Sequence, residues 1–353
     1  MRAAIMREGR IVVDDIEEPP LEAGQIRVRT LACGICGSDL HALHHADRMV
    51  EMSRYATGPD DPLQPHIMDP SRDVVMGHEF SAEVVELGAG AAHREGDIVV
   101  SMTIVMAPTG IHPVGYDNTF PGGYGEMMVL NDMMALDVPN GLDPRLAALT
   151  EPMAVGVHAV NISSIAAHHS AVVLGCGPVG LAVIAALRQR GVEHIVATDF
   201  SPTRRALAQH MGATTVVDPS SEPAVEAWRR VDGSRSLTIF EAVGVPGMLD
   251  QAMQDAPRQS SVVVVGVCME PDTVRPMLGV VKELTIRFAF GYDPAEFAET
   301  LRHIAEGTFD VAPLITGSVD LDGVAGAFEA LADPDTHAKI LVEPTTSSEE
   351  FSG

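Results

Sequence analysis

Lysine is almost missing from this chain: only Lys282 and Lys339 occur in 353 residues, and every other basic residue is arginine. Acidic residues outnumber basic ones 49 to 23, which gives a formal net charge of -26. A chain this acidic repels nucleic acid phosphates and anionic membranes, so neither is an expected partner. Cysteine is scarce too. Cys33, Cys36, Cys176 and Cys268 are too few for a disulfide scaffold and suit a reducing compartment. No stretch reaches the roughly 18 consecutive apolar residues of a membrane span. The opening ten residues carry Arg2, Arg7, Glu8 and Arg10 where a secretory signal needs an apolar core. The expectation is a cytoplasmic protein.

What is present points to a globular chain, with 46% hydrophobic and 20% charged residues and a length that suits two domains. Up to about residue 150, short alternating runs such as Gln25 to Thr30 and Gly96 to Val100 are broken by Gly and Pro, a β texture. From about residue 155, apolar runs such as Ala171 to Leu174 and Ser261 to Val265 alternate with helical patterns, as buried parallel strands do in an α/β domain. Helices are expected from Val179 to Arg190, stopping at Gly191, from Ser201-Pro202 to Gly212, and after Asp293-Pro294, with Phe297, Leu301 and Ile304 on one face. The tail from Thr345 to Gly353 is small and polar, and no internal repeat is visible.

Two clusters carry chemistry. Gly175-Cys176-Gly177-Pro178-Val179-Gly180 joins a strand run to a helix run, where glycines permit a tight turn, close approach of a pyrophosphate and close helix packing. Asp199 follows Gly180 by 19 positions (199 minus 180), at the end of the run Ile195 to Thr198, where an acidic residue takes the ribose hydroxyls. Its charge repels a 2′-phosphate and favours NAD over NADP, a preference tempered by Arg204 and Arg205. Upstream, Cys36 and His78 are zinc-ligand types, and a catalytic site takes three protein ligands and leaves one position open. The third ligand is a carboxylate, Glu79 or Glu151, because the other cysteines are badly placed. Cys33-x-x-Cys36 lacks the second close pair that a structural zinc needs. Taken alone, His78 has a lesser second reading as a core histidine bonded to a backbone carbonyl, while His44 and His45 read as surface residues. A metal that polarises oxygen and a cofactor that takes hydride imply alcohol oxidation.

Several stretches in order, Gly34 to His41, Gly77-His78-Glu79-Phe80, Gly96-Asp97-Ile98-Val99, Glu151 to Ala159 and the glycine loop, resemble the zinc-dependent medium-chain dehydrogenases, nearest the sorbitol and 2,3-butanediol branch. The resemblance covers nearly the whole chain. It implies an α/β protein with a β-rich, GroES-like catalytic domain at 1–155 and 291–353, and a doubly wound (Rossmann) dinucleotide-binding domain at 156–290. It implies Cys36 and His78 as zinc ligands, Glu151 at a ligand position and Glu79 as a carboxylate that joins or exchanges there. By the same resemblance Ser38 takes the substrate proton, His41 relays it, and Asp39 holds the far nitrogen of His78. Pro178 and Val179 belong to the pyrophosphate turn, Val265 to Val267 orients the nicotinamide, and Lys339 reaches the pyrophosphate. Family members with a structural zinc carry four close cysteines after Gly-Asp-x-Val, and Ser101 to Tyr124 has none, so a single zinc is expected. The polar stretch from Ala42 to Met76 is expected to shape the substrate mouth. A secondary alcohol, diol or polyol is the implied substrate and a homodimer or homotetramer the implied assembly. The alternatives are an amino alcohol of the threonine-dehydrogenase kind, a hydrophobic or terpenoid alcohol, or a non-catalytic nicotinamide-binding protein.

Overall fold

Gln25–Gly34, 10 residues long, is the spine of the first unit. Along one edge it pairs antiparallel with Glu79–Leu87, and it also pairs with Met127–Asn131 near its start and Lys339–Val342 at its end. Ile315–Val319, Ile98–Ser101 and Ala135–Asp137 complete a seven-stranded sheet. Alternate residues of the spine face inward, and Ile26 and Val28 are sealed in a core with Ile5, Phe80, Met128 and Leu130. A hairpin, Arg2–Arg7 with Arg10–Asp15, and a second, Ile104–Ala107 with Gly110–Pro113, flank the sheet. Gly37–Ala56 is helical with a break at His45, so the first part of the polar 42–76 stretch is helix.

The computed structural model describes residues 1–56, 65–139, 141–333 and 335–345, side chains of 55 and 56 excepted. Residues 57–64, within the stretch expected to shape the substrate mouth, and 346–353, most of the polar tail, lie outside the described residues.

The second unit is a six-stranded parallel sheet in the order Thr215–Val217, His194–Thr198, Ser170–Leu174, Leu237–Glu241, Ser261–Val264, Thr285–Phe288. This is the doubly wound order, whose switch point falls between Ser170–Leu174 and Leu237–Glu241. Val172, Val196, Ile239 and Val262 are fully buried, which explains their uninterrupted apolar runs. The helix Pro178–Gln189 is followed by Gly191 at φ +83, and Pro202–Met211 runs from a Ser201 cap to a left-handed Gly212.

The chain divides after Glu151 and returns to the first unit at Ile315. These boundaries differ from 155 and 291 for physical reasons. Residues 152–155 lie within the helix Thr150–Ile162. Pro294–Ala305 buries Phe297, Leu301 and Ile304, and its Glu296 carboxylate lies 2.8 Å from His158 Nδ1 and accepts a 2.7 Å bond from Asn161. Those partners fasten the segment to the second unit. Among the described residues no helix is long and apolar enough to cross a membrane.

Candidate functional site

Two strands of the first unit deliver the metal-type ligands, and a third brings a lysine beside them. Gly34 is in register with Glu79 on one neighbour and Leu341 on the other. The chain leaving Gly34 carries Cys36, the chain entering Glu79 brings His78, and Lys339 opens the third strand. One ligand atom each from Cys36, His78 and Glu79 lies within 4.8 Å of the others. Gly34 permits this, because a Cβ there would stand 2.1 Å from Glu79 Oε2. Cys33 is sealed in the core against Gly77 and Gly123, and burial, with Asp39 and Glu79 nearby, pushes its thiol well up. It is packing, while Cys36 keeps some exposure.

The charges around these ligands point one way. Glu79 is fully buried, with its oxygens 2.8 and 2.6 Å from Lys339 Nζ, which also donates to Ile35 O at 2.9 Å. Burial disfavours the ammonium, yet Glu79, Cys36 and Glu151 together hold the Lys339 pKa above its usual value. Burial likewise opposes an imidazolium at His78, and Asp39 and Cys36 overcome it. Both shifts report a negative potential at one buried point. Sulfur, imidazole and carboxylate donors in such a field suit a borderline divalent ion such as zinc.

Asp39 stands beside His78, with Oδ1 3.5 Å from Nδ1, an ion-pair distance longer than a good hydrogen bond, and Nδ1 has no hydrogen-bond partner. The carboxylate instead accepts from Cys36 N at 3.0 Å, Tyr124 Oη at 2.7 Å and Tyr116 Oη at 2.9 Å. Burial would raise its pKa, but His78 and these donors hold it below the usual range. Tyr116 Oη also lies 2.9 Å from Ser38 Oγ. Ser38 and His41 are one turn apart on the helix Gly37–Ala56, and burial with His45 and His44 nearby lowers the His41 pKa. His44 and His45 themselves are exposed.

In the second unit, Gly175 (φ +89) turns the chain out of Ser170–Leu174, and Gly177 caps the helix Pro178–Gln189. The glycines differ in what surrounds them. A Cβ on Gly180 would stand 2.0 Å from Gly175 O, so the helix sits directly on the loop; a Cβ on Gly177 would meet nothing within 4 Å. Open space at a helix N-terminus leaves the backbone free to face an anion. Asp199 accepts from Cys176 N at 2.9 Å and Ser201 N at 2.8 Å, which ties the acidic residue to the loop. Arg205 is committed to Asp199 O and Phe200 O, each at 2.7 Å, while Arg204 Nε is buried without a partner. Across the switch point, Gly244 and Gly266 pack backbone to backbone; Val265 is buried and Val267 is 54% exposed.

Comparison with known proteins gives this pair of sites a family. Residues 22–140 match the alcohol dehydrogenase GroES-like domain and 178–306 the zinc-binding dehydrogenase domain. The chain is 33% identical to the (R,R)-butanediol dehydrogenase of Bacillus subtilis, over 95% of this chain and 96% of that protein. The chain belongs to the zinc-type medium-chain alcohol dehydrogenases. The crystal structure of the Bacillus subtilis 2R,3R-butanediol dehydrogenase superposes with a TM-score of 0.82 at 32% identity, covering 98% of this chain and 99% of that one. An L-threonine 3-dehydrogenase from Bacillus velezensis is 27% identical over 97% of this chain and 99% of that protein. Family membership makes this chain an oxidoreductase acting on an alcohol, and it implies zinc and a nicotinamide cofactor.

Two features of the dehydrogenase differ from what its sequence suggests. Lys339 is 1% exposed and bonded to Glu79 and Ile35, so its charge lies on the metal-side carboxylate. Tyr116 and Tyr124 join the site unannounced. Both are held to Asp39 across more than 70 residues of chain, which no local spacing reveals. Glu151 stands in the first turn of Thr150–Ile162, half-buried and near enough to favour the charge on Lys339.

Proposed function

We propose that this dehydrogenase interconverts a secondary alcohol, best a vicinal diol or hydroxyketone, and the matching ketone, with one catalytic zinc and NAD. The observation that carries this reading is the convergence of Cys36, His78 and Glu79. Cys36 and His78 hold the ion, and Glu79 and Glu151 are the two carboxylates for its third protein position. When bound, zinc polarises the substrate oxygen and the nicotinamide accepts hydride.

The chain's own part is to manage the proton. Burial and Asp39 keep the Tyr116 phenol protonated. An ionised carboxylate only accepts, so the one phenol proton lies toward Asp39, and Tyr116 Oη accepts from the Ser38 hydroxyl. Ser38 then presents lone pairs to the substrate hydroxyl, and its own hydroxyl turns from Tyr116 toward His41 to hand on the proton it releases as it takes the substrate's. His41, whose lowered pKa favours the neutral ring, is the relay to solvent. Asp39 keeps a negative charge beside His78 Nδ1.

NAD is favoured over NADP because Asp199 sits against the glycine loop and Arg205 is spent on backbone carbonyls and Asp218. Val265 and Val267 line the nicotinamide side, and Pro178, Val179 and the open Gly177 the pyrophosphate side. A second copy of the chain is the best occupant for the open edge strand Thr285–Phe288, around which Phe288, Phe290, Met277 and Val280 are exposed. The free cysteines favour a reducing, cytoplasmic setting.

The likeness to an L-threonine 3-dehydrogenase supports an amino alcohol as the second reading. NAD-dependent absorbance change against diols, polyols, amino alcohols and hydrophobic secondary alcohols, with and without a chelator, separates them. Chelator-sensitive turnover strongest on vicinal diols is expected. Turnover strongest on L-threonine would replace the diol reading, and bound zinc and NAD with no turnover at all would favour a non-catalytic binding protein.

A further inference from the structure

Outside the catalytic cluster, a second group of metal-ligating side chains meets in the first unit. His112, from the strand Gly110–Pro113, and Asp117 are 2% and 1% exposed, and His66 reaches them from a segment 46 residues earlier (112 minus 66). One ligand atom from each lies within 4.8 Å of the other two. His66 Nδ1 is 2.6 Å and His112 Nδ1 2.8 Å from the same atom, Asp117 Oδ2.

The surroundings aim these atoms at one point. The other Asp117 oxygen accepts from Thr119 N at 2.6 Å and Phe120 N at 3.1 Å, which fixes the carboxylate plane. The far nitrogen of His112 lies 2.7 Å from Thr109 Oγ1, so its Nδ1 is the nitrogen turned inward. The two imidazoles stack with centroids 4.9 Å apart, and His66 N donates to Ile111 O at 2.6 Å, setting the His66 backbone beside the hairpin. His66, 43% exposed in its side chain, leaves a way in from solvent.

We propose that His66, His112 and Asp117 form a second divalent-cation site, for zinc or a similar borderline ion. Two imidazole nitrogens and one carboxylate oxygen are the donors such ions take, with water as the fourth ligand. Zinc bonds of about 2.0–2.2 Å in a tetrahedron set the donors about 3.3–3.6 Å apart, so on binding both imidazoles must draw back from the Asp117 oxygen, the exposed His66 and the buried His112 alike. The ion would replace two imidazole protons and clamp the segment around His66 onto the hairpin Ile104–Ala107/Gly110–Pro113. A count of cysteines in residues 101–124 cannot reveal such a site, because it contains no sulfur and takes one ligand from outside that stretch.

The site stands on its own geometry and does not depend on the catalytic reading. The test is zinc per chain by elemental mass spectrometry after equilibrium dialysis of the full-length protein against zinc chloride. Two zinc ions are expected in the native protein, one in Cys36→Ser, one in His112→Ala and none in the double variant. His66→Ala, at an exposed position that leaves the buried His112 and Asp117 in place, guards against misfolding and is expected to lose the same ion. Cobalt loaded into Cys36→Ser should give a visible spectrum without thiolate charge transfer. One zinc in the native protein with none in Cys36→Ser would overturn the proposal, as would a second ion that survives both histidine substitutions.

Discussion

The two units build their sites in opposite ways. In the second, the ligand-facing geometry comes from backbone within six consecutive residues, Gly175 to Gly180, closed by Asp199 one strand and helix later. In the first, the functional side chains come from several strands and a helix, and their states are set by partners far along the chain: Lys339 on Glu79, Tyr116 and Tyr124 on Asp39. A site made of backbone tolerates little change in shape, while a site made of buried charges tolerates little change in balance.

Removing one charge should have the largest effect. Lys339→Met leaves Glu79 buried and uncompensated, which is expected to destabilise the zinc-free protein by about 3–5 kcal/mol in urea unfolding. NAD affinity should be unchanged if the Lys339 ammonium serves Glu79 alone. A stable variant with weakened NAD binding would return Lys339 to the pyrophosphate.

The glycines sharpen the contrast from the other side. Gly180→Ala forces its Cβ to within 2.0 Å of Gly175 O and should cost about 1–3 kcal/mol of stability. Gly177→Ala meets no protein atom, so stability should hold while NAD affinity falls, read by quenching of protein fluorescence or calorimetry. Equal unfolding midpoints for the two variants would break the distinction.

Tyr116→Phe carries the smallest expected effect. It removes one hydrogen bond at an ionised group, so kcat should fall roughly tenfold with KM little changed and zinc content intact. If Tyr116 acts by orienting the Ser38 hydroxyl, the loss should vanish in a Ser38→Ala background. A Tyr116 effect of the same size with and without Ser38 would mean that it acts through Asp39 and His78 instead.

Much of this was legible in the sequence because glycine, proline and cap residues act locally. Ser201-Pro202 and Gly212 mark both ends of one helix, and Asp293 with Glu296 forms the capping box that opens another. Cys36 and His78 were legible as ligand types, and the structure brings them together with Glu79. What stayed hidden depends on register between distant strands. Nothing near Lys339 indicates that pairing of Leu341 with Gly34, and of Gly34 with Glu79, will lay its ammonium on that carboxylate. The domain boundary at Ile315 was hidden likewise, because the bonds from Glu296 to His158 and Asn161 join residues more than 130 positions apart.

Metal-side and cofactor-side chemistry are carried by separate sets of residues. Cys36→Ser tests it most directly, with zinc content, NAD affinity and diol oxidation measured on the same preparation. The expected outcome is loss of the catalytic zinc, turnover reduced by roughly a thousandfold or more, and NAD bound as in the native protein. Native turnover from a Cys36→Ser protein that lacks the catalytic zinc would contradict it.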